Sequence, residues 1–221
     1  MSGANSYGRT ETGTPWPGAG DGFPESPRDR LTAGIGLYLE RDAARLRETY
    51  ERLADAQQPS HLFITCVDSR VVPGLVTGSG PGDLLVLRNI GNLVPSADSG
   101  DTSVAAAIDF AVDMLGVRAI TVCGHSRCGA MTGLLSAGVD DLTPALRTWL
   151  VHAAPALCRM DGAGGLERLC RVNVAEQIAN LRTYPRVRDR ASAGELDLIG
   201  MYVDVATGTP EILDVAAEPG R

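Results

Sequence analysis

Two short segments carry the residue types needed for metal chemistry. Cys66-Val67-Asp68-Ser69-Arg70 sets a thiol, a carboxylate and a guanidinium at alternate positions. Gly124-His125-Ser126-Arg127-Cys128-Gly129 adds an imidazole and a second thiol three residues apart. Two thiolates and one imidazole make three zinc ligands and leave a fourth position for water, the donor set of a catalytic site rather than a closed structural one. His-x-x-Cys alone is a weak signal, because buried Cys and His often simply pack, and Cys123 beside it reads as core. Asp68-Ser69-Arg70 admits a plainer reading as a turn closed by an Asx-type bond. That reading leaves the company of Cys66 and Arg70 unexplained, whereas alternate spacing lets all three face one side of an extended strand end.

Both segments directly follow apolar runs that read as buried strands, 61–66 for the first and 117–123 for the second. Each motif would then sit at the carboxyl end of a strand, where open α/β sheets place their chemistry. Between them lie a β-like run at 83–88 and a helix at 102–115, with Thr102 or Ser103 as its N-cap. A helical pattern over 30–55 precedes the first strand, and helices are expected at 129–135, 143–158 and 165–183, the last limited by Pro185. A late strand at 196–205 and a short edge strand near 211–214 complete the order. The fold class is α/β, a mainly parallel central sheet flanked by helices with an N-terminal helical arm.

Composition narrows the partners. The 221 residues are 44% hydrophobic and 21% charged, with a formal net charge of −7, and the isoelectric point is near 5.0. That balance argues against a nucleic-acid surface or an anionic membrane, and no apolar stretch approaches the roughly 20 residues of a membrane span. Residues 1–28 are rich in Gly, Pro, Ser and Thr and read as a disordered tail. A single catalytic domain follows over 29–214, with a flexible end at 215–221. The N-terminus lacks the features of a secretory signal, and five irregularly spaced cysteines do not read as a disulfide framework. Reduced thiols in the cytoplasm are expected.

Taken in order, Cys66-x-Asp68-x-Arg70, Arg88-Asn89-Ile90-Gly91-Asn92 and His125-x-x-Cys128-Gly129 resemble the β-class carbonic anhydrases over roughly residues 35–214. Gln57-Gln58-Pro59 ahead of the first strand is most similar to the plant-type and cyanate-operon branch. The resemblance implies one zinc per subunit on Cys66, His125 and Cys128, with zinc-bound hydroxide attacking carbon dioxide to give bicarbonate and a proton. Asp68 would orient that hydroxide and Arg70 would hold Asp68. Gln57, Leu85, Ile90 and Phe110 match substrate-pocket positions, and the amide of Gly129 would help to bind bicarbonate. Relatives in which the aspartate closes onto zinc under bicarbonate control carry Trp-x-Gly before the first cysteine. Here Phe63-Ile64-Thr65 stands instead, so an open site is expected near neutral pH.

The family also assembles as dimers or dimers of dimers, with the N-terminal helix on the partner and the pocket built across the interface. Arg88 and Asn89 are expected to be structural, and neither His61 nor His152 is assigned a proton relay. Two other functions fit the residues: hydrolysis of carbonyl sulfide or carbon disulfide on the same scaffold, and a non-catalytic zinc or redox sensor that keeps the fold.

Overall fold

The computed structural model describes residues 24, 26–136, 142–160 and 164–215. Most of the segment assigned to an N-terminal tail and all but Val215 of the expected flexible C-terminus lie outside the described residues. The chain divides into two units, Met1–Ala56 and Gln57–Arg221.

The first unit holds α1 (Pro27–Arg41) and α2 (Ala43–Leu53), where the sequence suggested one helical region. Pro27 stands in the first turn of α1, where its missing N–H costs nothing. Neither helix buries a residue. The apolar stripe that made the segment read as amphipathic stays in solvent, with Leu31 67%, Ile35 52% and Leu39 61% exposed.

The second unit runs β1 (His61–Cys66), α3 (Pro73–Thr77), β2 (Leu84–Asn89), α4 (Ser103–Asp109), a π-helical turn at Phe110–Met114, β3 (Ala119–His125) and α5 (Gly129–Leu135). It continues through α6 (Pro144–Leu150), a 3-10 turn at Val151–Ala153, α7 (Ala154–Cys158), α8 (Leu166–Leu181), α9 (Pro185–Ser192), β4 (Asp197–Asp204) and β5 (Thr209–Leu213). The sheet order is β2-β1-β3-β4-β5. The first three pairings are parallel, and β4–β5 is an antiparallel hairpin.

This order matters for the site. From β1 the chain moves outward to β2 on one side, then returns past β1 to β3 on the other. The carboxyl ends of β1 and β3 therefore flank a topological switch point, the crevice where open α/β sheets bind ligands. Strand β1 delivers Cys66 to one wall of that crevice and β3 delivers His125 to the other. Strand β3 reaches two residues beyond the expected end because its pairing with β4 continues to His125 opposite Val203.

Alternation along β1 separates two cores. Leu62, Ile64 and Cys66 join the main cluster, which includes Ile120, Val122, Leu169 and Val174. Phe63 joins a smaller one with Cys123, Met201 and Val203 on the other face. Cys123 is thus core, as its position on the strand suggests. Helix α8 lies so close to β3 that a Cβ on Gly124 would meet Val174 Cγ2 at 2.6 Å; only glycine admits this approach. The single helix expected over 143–158 is broken by Pro155, which cannot donate an N–H and instead opens α7.

Candidate metal centre

Cys66, His125 and Cys128 converge. One sulfur or nitrogen from each lies within 4.8 Å of the others, and all three residues are buried. The reversal between the second pair is made at Arg127, which takes a left-handed conformation with φ of 54°, so that Cys128 returns beside His125 as the N-cap of α5. His125 Nδ1 lies 2.9 Å from the carbonyl oxygen of Ser126. A carbonyl only accepts, so Nδ1 carries the proton and Nε2 presents a lone pair. Nε2 is buried and has no hydrogen-bond partner among the described residues. Leaving it so would cost the desolvation of a polar atom.

The donor set fits zinc. Tetrahedral zinc at about 2.1–2.3 Å from nitrogen and sulfur needs ligand atoms roughly 3.5–4 Å apart, within the observed limit. The two thiols share a hydrogen bond that draws Cys66 well below the usual thiol range against its burial, with the His125 ring and the amides of Gly91 and Asp68 acting in the same direction. The same bond pushes Cys128 upward. A divalent cation held between them would deprotonate the coordinating thiols.

Asp68 does not extend β1, as alternate spacing suggested. The strand ends at Cys66, and a turn follows in which Asp68 Oδ1 accepts from Arg70 N at 3.0 Å and Asp68 O from Val71 N at 3.1 Å. The Asx-type turn and the functional pairing are both present, because the turn is what folds Arg70 back. Its guanidinium donates from Nε to Oδ1 at 2.9 Å and from Nη2 to Oδ2 at 2.7 Å. Nη2 also reaches Arg127 O at 3.2 Å, joining the first motif to the second. The other edge of Asp68 faces the ligands, with Oδ2 3.8 Å from His125 Nε2. The Arg70 hydrogen bonds hold the Asp68 carboxyl down to about 2 against its partial burial.

The segment between the motifs supports this arrangement. Arg88 donates to Cys66 O at 3.1 and 2.9 Å and to Asp68 O at 2.7 Å. Asn89 closes its own loop, bonding Leu93 N at 2.7 Å and Leu93 O at 2.8 Å. Both therefore act on backbone, as the sequence reading favoured. Gly91 N donates to Cys66 Sγ at 3.4 Å. Gly91 has a φ of +82°, and a Cβ there would meet Ala130 Cβ at 3.2 Å. Gly91 lies within the Arg88–Asn92 motif but has no side chain to announce a task; its one sequence signal is a glycine in the loop that leaves β2.

The pocket positions are less gathered. Gly129 follows Cys128 as the first residue of α5, and Ile90 follows β2 and is 40% exposed. Phe110 begins the π-helical turn and is 42% exposed. Leu85, paired with Leu62, packs against the main core. Gln57 is exposed in the segment before His61, and β1 runs about 16 Å from there to Cys66. His61 therefore starts β1 at the end remote from the ligands, and His152 lies in the 3-10 turn with its ring edge-on to Trp149.

The matches to known proteins agree with this geometry. The family model described as carbonic anhydrase matches residues 61–210. A carbonic anhydrase of Pseudomonas aeruginosa is 43% identical over 188 residues, covering 82% of this chain and 86% of that one. The solved β-carbonic anhydrase CcaA superposes with a TM-score of 0.80 at 35% identity, covering 85% and 87% of the two chains. One of two tetrameric β-carbonic anhydrases from Sordaria macrospora gives 0.75 at 29%, covering 83% and 95%. The chain belongs to the β-class carbonic anhydrases. It is a lyase that reversibly hydrates carbon dioxide to bicarbonate and a proton, the activity of that zinc-dependent family.

Proposed function

We propose that Cys66, His125 and Cys128 hold one zinc ion per subunit, with Asp68 and Arg70 directing the attack on carbon dioxide. The observation that carries this reading is the buried, unpartnered His125 Nε2 set between two thiols and 3.8 Å from Asp68 Oδ2. Zinc held there supplies Lewis acidity, bringing the pKa of water to about 7 so that hydroxide forms at neutral pH.

The chain's own residues do the rest. Asp68, ionised at any working pH, can only accept a hydrogen bond. It takes one from the attacking water and so turns an oxygen lone pair toward the substrate carbon. Arg70 fixes both carboxylate oxygens, and that engagement supports an open site near neutral pH, since Asp68 would have to break the guanidinium bonds to reach the metal. Ile90 and Phe110 offer exposed apolar surface suited to an uncharged substrate, the amide of Gly129 a contact for bicarbonate, and Leu85 and Gln57 would serve the pocket only from a second copy.

The enzyme works as a homodimer or a dimer of dimers. The exposed stripe of Leu31, Ile35 and Leu39 supports association of copies, and a second copy would bring Gln57 to the pocket. A cytoplasmic location is supported by five free cysteines and no disulfide, and no described helix is long and apolar enough to cross a membrane. Metal analysis with a carbon dioxide hydration assay on wild type and Cys66→Ala tests the reading. One zinc per chain with zinc-dependent hydration is expected, both lost in Cys66→Ala; stoichiometric zinc without hydration would overturn it.

A further inference from the structure

One wall of the metal centre is a loop, and α6 and α8 grip that loop through its backbone. Along α8, Asn173, Gln177 and Asn180 recur at helical spacing on one face, and Thr183 and Tyr184 follow. Asn173 Nδ2 donates to Gly91 O at 3.0 Å and Asn180 Nδ2 to Val94 O at 2.9 Å. Gln177 Oε1 accepts from Val94 N at 2.7 Å and Thr183 Oγ1 from Ala97 N at 2.9 Å. Tyr184 OH donates to Pro95 O at 2.8 Å. From α6, Trp149 Nε1 donates to Ile90 O at 2.7 Å.

Two of these bonds meet at Gly91. Ile90 O and Gly91 N belong to one peptide unit, and in a trans peptide the C=O and N–H point in opposite directions. The Trp149 indole, drawing on the oxygen, therefore aims the hydrogen away from itself, and Gly91 N stands 3.4 Å from Cys66 Sγ. Asn173 fixes the next peptide through Gly91 O, and its own Oδ1 is held by Gln177 Nε2 at 3.0 Å. Asn173 and Gln177 are 1% and 0% exposed, so water does not compete for these hydrogen bonds. At a φ of +82° Gly91 cannot hold its own orientation by side-chain packing.

We infer that Trp149 and Asn173 are positioning residues for the metal ligand Cys66, acting through the Gly91 peptide. The N–H so placed carries part of the thiolate charge and fixes where the sulfur sits, as hydrogen-bond partners of ligands do at other metal sites. The inference rests on the zinc assignment above and adds two residues remote from the ligands in sequence.

Trp149→Phe removes the indole N–H together with the five-membered ring that carries it and keeps a smaller aromatic body, so Asn173→Ser, which deletes the other donor to the Gly91 region, is made beside it. Tyr184→Phe is its control, deleting one donor to the same loop at Pro95 rather than at the Gly91 peptide. All three are made in the full chain and loaded with cobalt(II) or titrated with zinc against a chelator. Trp149→Phe is expected to weaken zinc binding roughly 10-fold or more and to shift the thiolate-to-cobalt charge-transfer band. Tyr184→Phe should leave both at wild-type values. Should Trp149→Phe not fold, Asn173→Ser gives the second reading, with the same changes expected. Equal behaviour of the position-149 or position-173 variant and Tyr184→Phe would overturn the inference. Wild-type protein that takes up no metal would overturn the zinc assignment itself.

Discussion

Asp68 and Arg70 stand two residues apart and meet through three hydrogen bonds, one from the backbone amide and two from the guanidinium. The same guanidinium reaches the carbonyl of Arg127, between His125 and Cys128. One side chain therefore sets the carboxylate and ties together the segments that carry Cys66 and the His125–Cys128 pair. A zinc that served only structure would need neither.

Replacing Asp68 by Asn keeps the volume and removes the charge that accepts the water's hydrogen bond. Stopped-flow hydration should show kcat/KM falling by about 10²–10³ with zinc content unchanged. Arg70→Lys keeps the charge but not the two-point fork, and should lie between wild type and Asp68→Asn. Wild-type rates in Asp68→Asn would remove Asp68 from the mechanism.

The five cysteines should differ in reactivity. Cys158 is exposed and should be alkylated first by iodoacetamide at pH 8. Burial pushes Cys123 up to about 12 and Cys170 up to about 11, so both should stay unmodified while the fold holds. Cys66 and Cys128 should become reactive only after chelation of the metal. Mass spectrometry of labelled peptides reads all five.

Stability should fall in alkali, with an identifiable contributor. All 20 Lys-or-Arg positions are arginine, so tyrosines and thiols dominate side-chain titration between about pH 9 and 12. Burial, with Asp101 and Asp109 nearby, pushes Tyr184 up to about 12. A folded pKa above the unfolded value of about 10 gives stability that is whole below pH 10 and lost as pH climbs toward 12. Urea unfolding should show that decline, and Tyr184→Phe should flatten it while costing about 1 kcal/mol at neutral pH. An unchanged slope in Tyr184→Phe would contradict this.

The packing of α8 on β3 makes a reciprocal test. Gly124→Ala would bring its Cβ against Val174 Cγ2 and within 3.4 Å of Cys170 O, and should cost about 1–3 kcal/mol in urea unfolding. Val174→Ala removes the first obstacle, so the double variant should be more stable than Val174→Ala plus Gly124→Ala taken additively. Strict additivity would show that the contact does not limit the approach.

Much of this was legible in the sequence because it lay in apolar runs and side-chain types. The strands of the crevice and the helix at 165–183 followed from hydrophobic pattern, and the ligand set from Cys and His at strand ends. What escaped had no such pattern. Helix α9 carries Val187 as its one buried residue among charges, and Pro185, read as a stop, also opens it. Thr102 stands at the N-cap of α4 as expected, but its side chain makes no capping bond, and the Asp101 carboxylate accepts from Val104 N at 2.8 Å instead. The Asx-type turn at Asp68 is local and stood among the readings of Asp68-Ser69-Arg70, whereas the work of Trp149, Asn173 and Gly91 joins distant segments, which spacing alone does not encode. Gln57 and the exposed stripe of α1 depend on surfaces that one chain leaves open.

The most direct test is a crystal structure of the zinc-loaded protein at pH 8. The expected result is one zinc on Cys66 Sγ, His125 Nε2 and Cys128 Sγ, with water as fourth ligand and Asp68 still paired with Arg70. Asp68 bonded to the zinc, or zinc bound elsewhere, would contradict it.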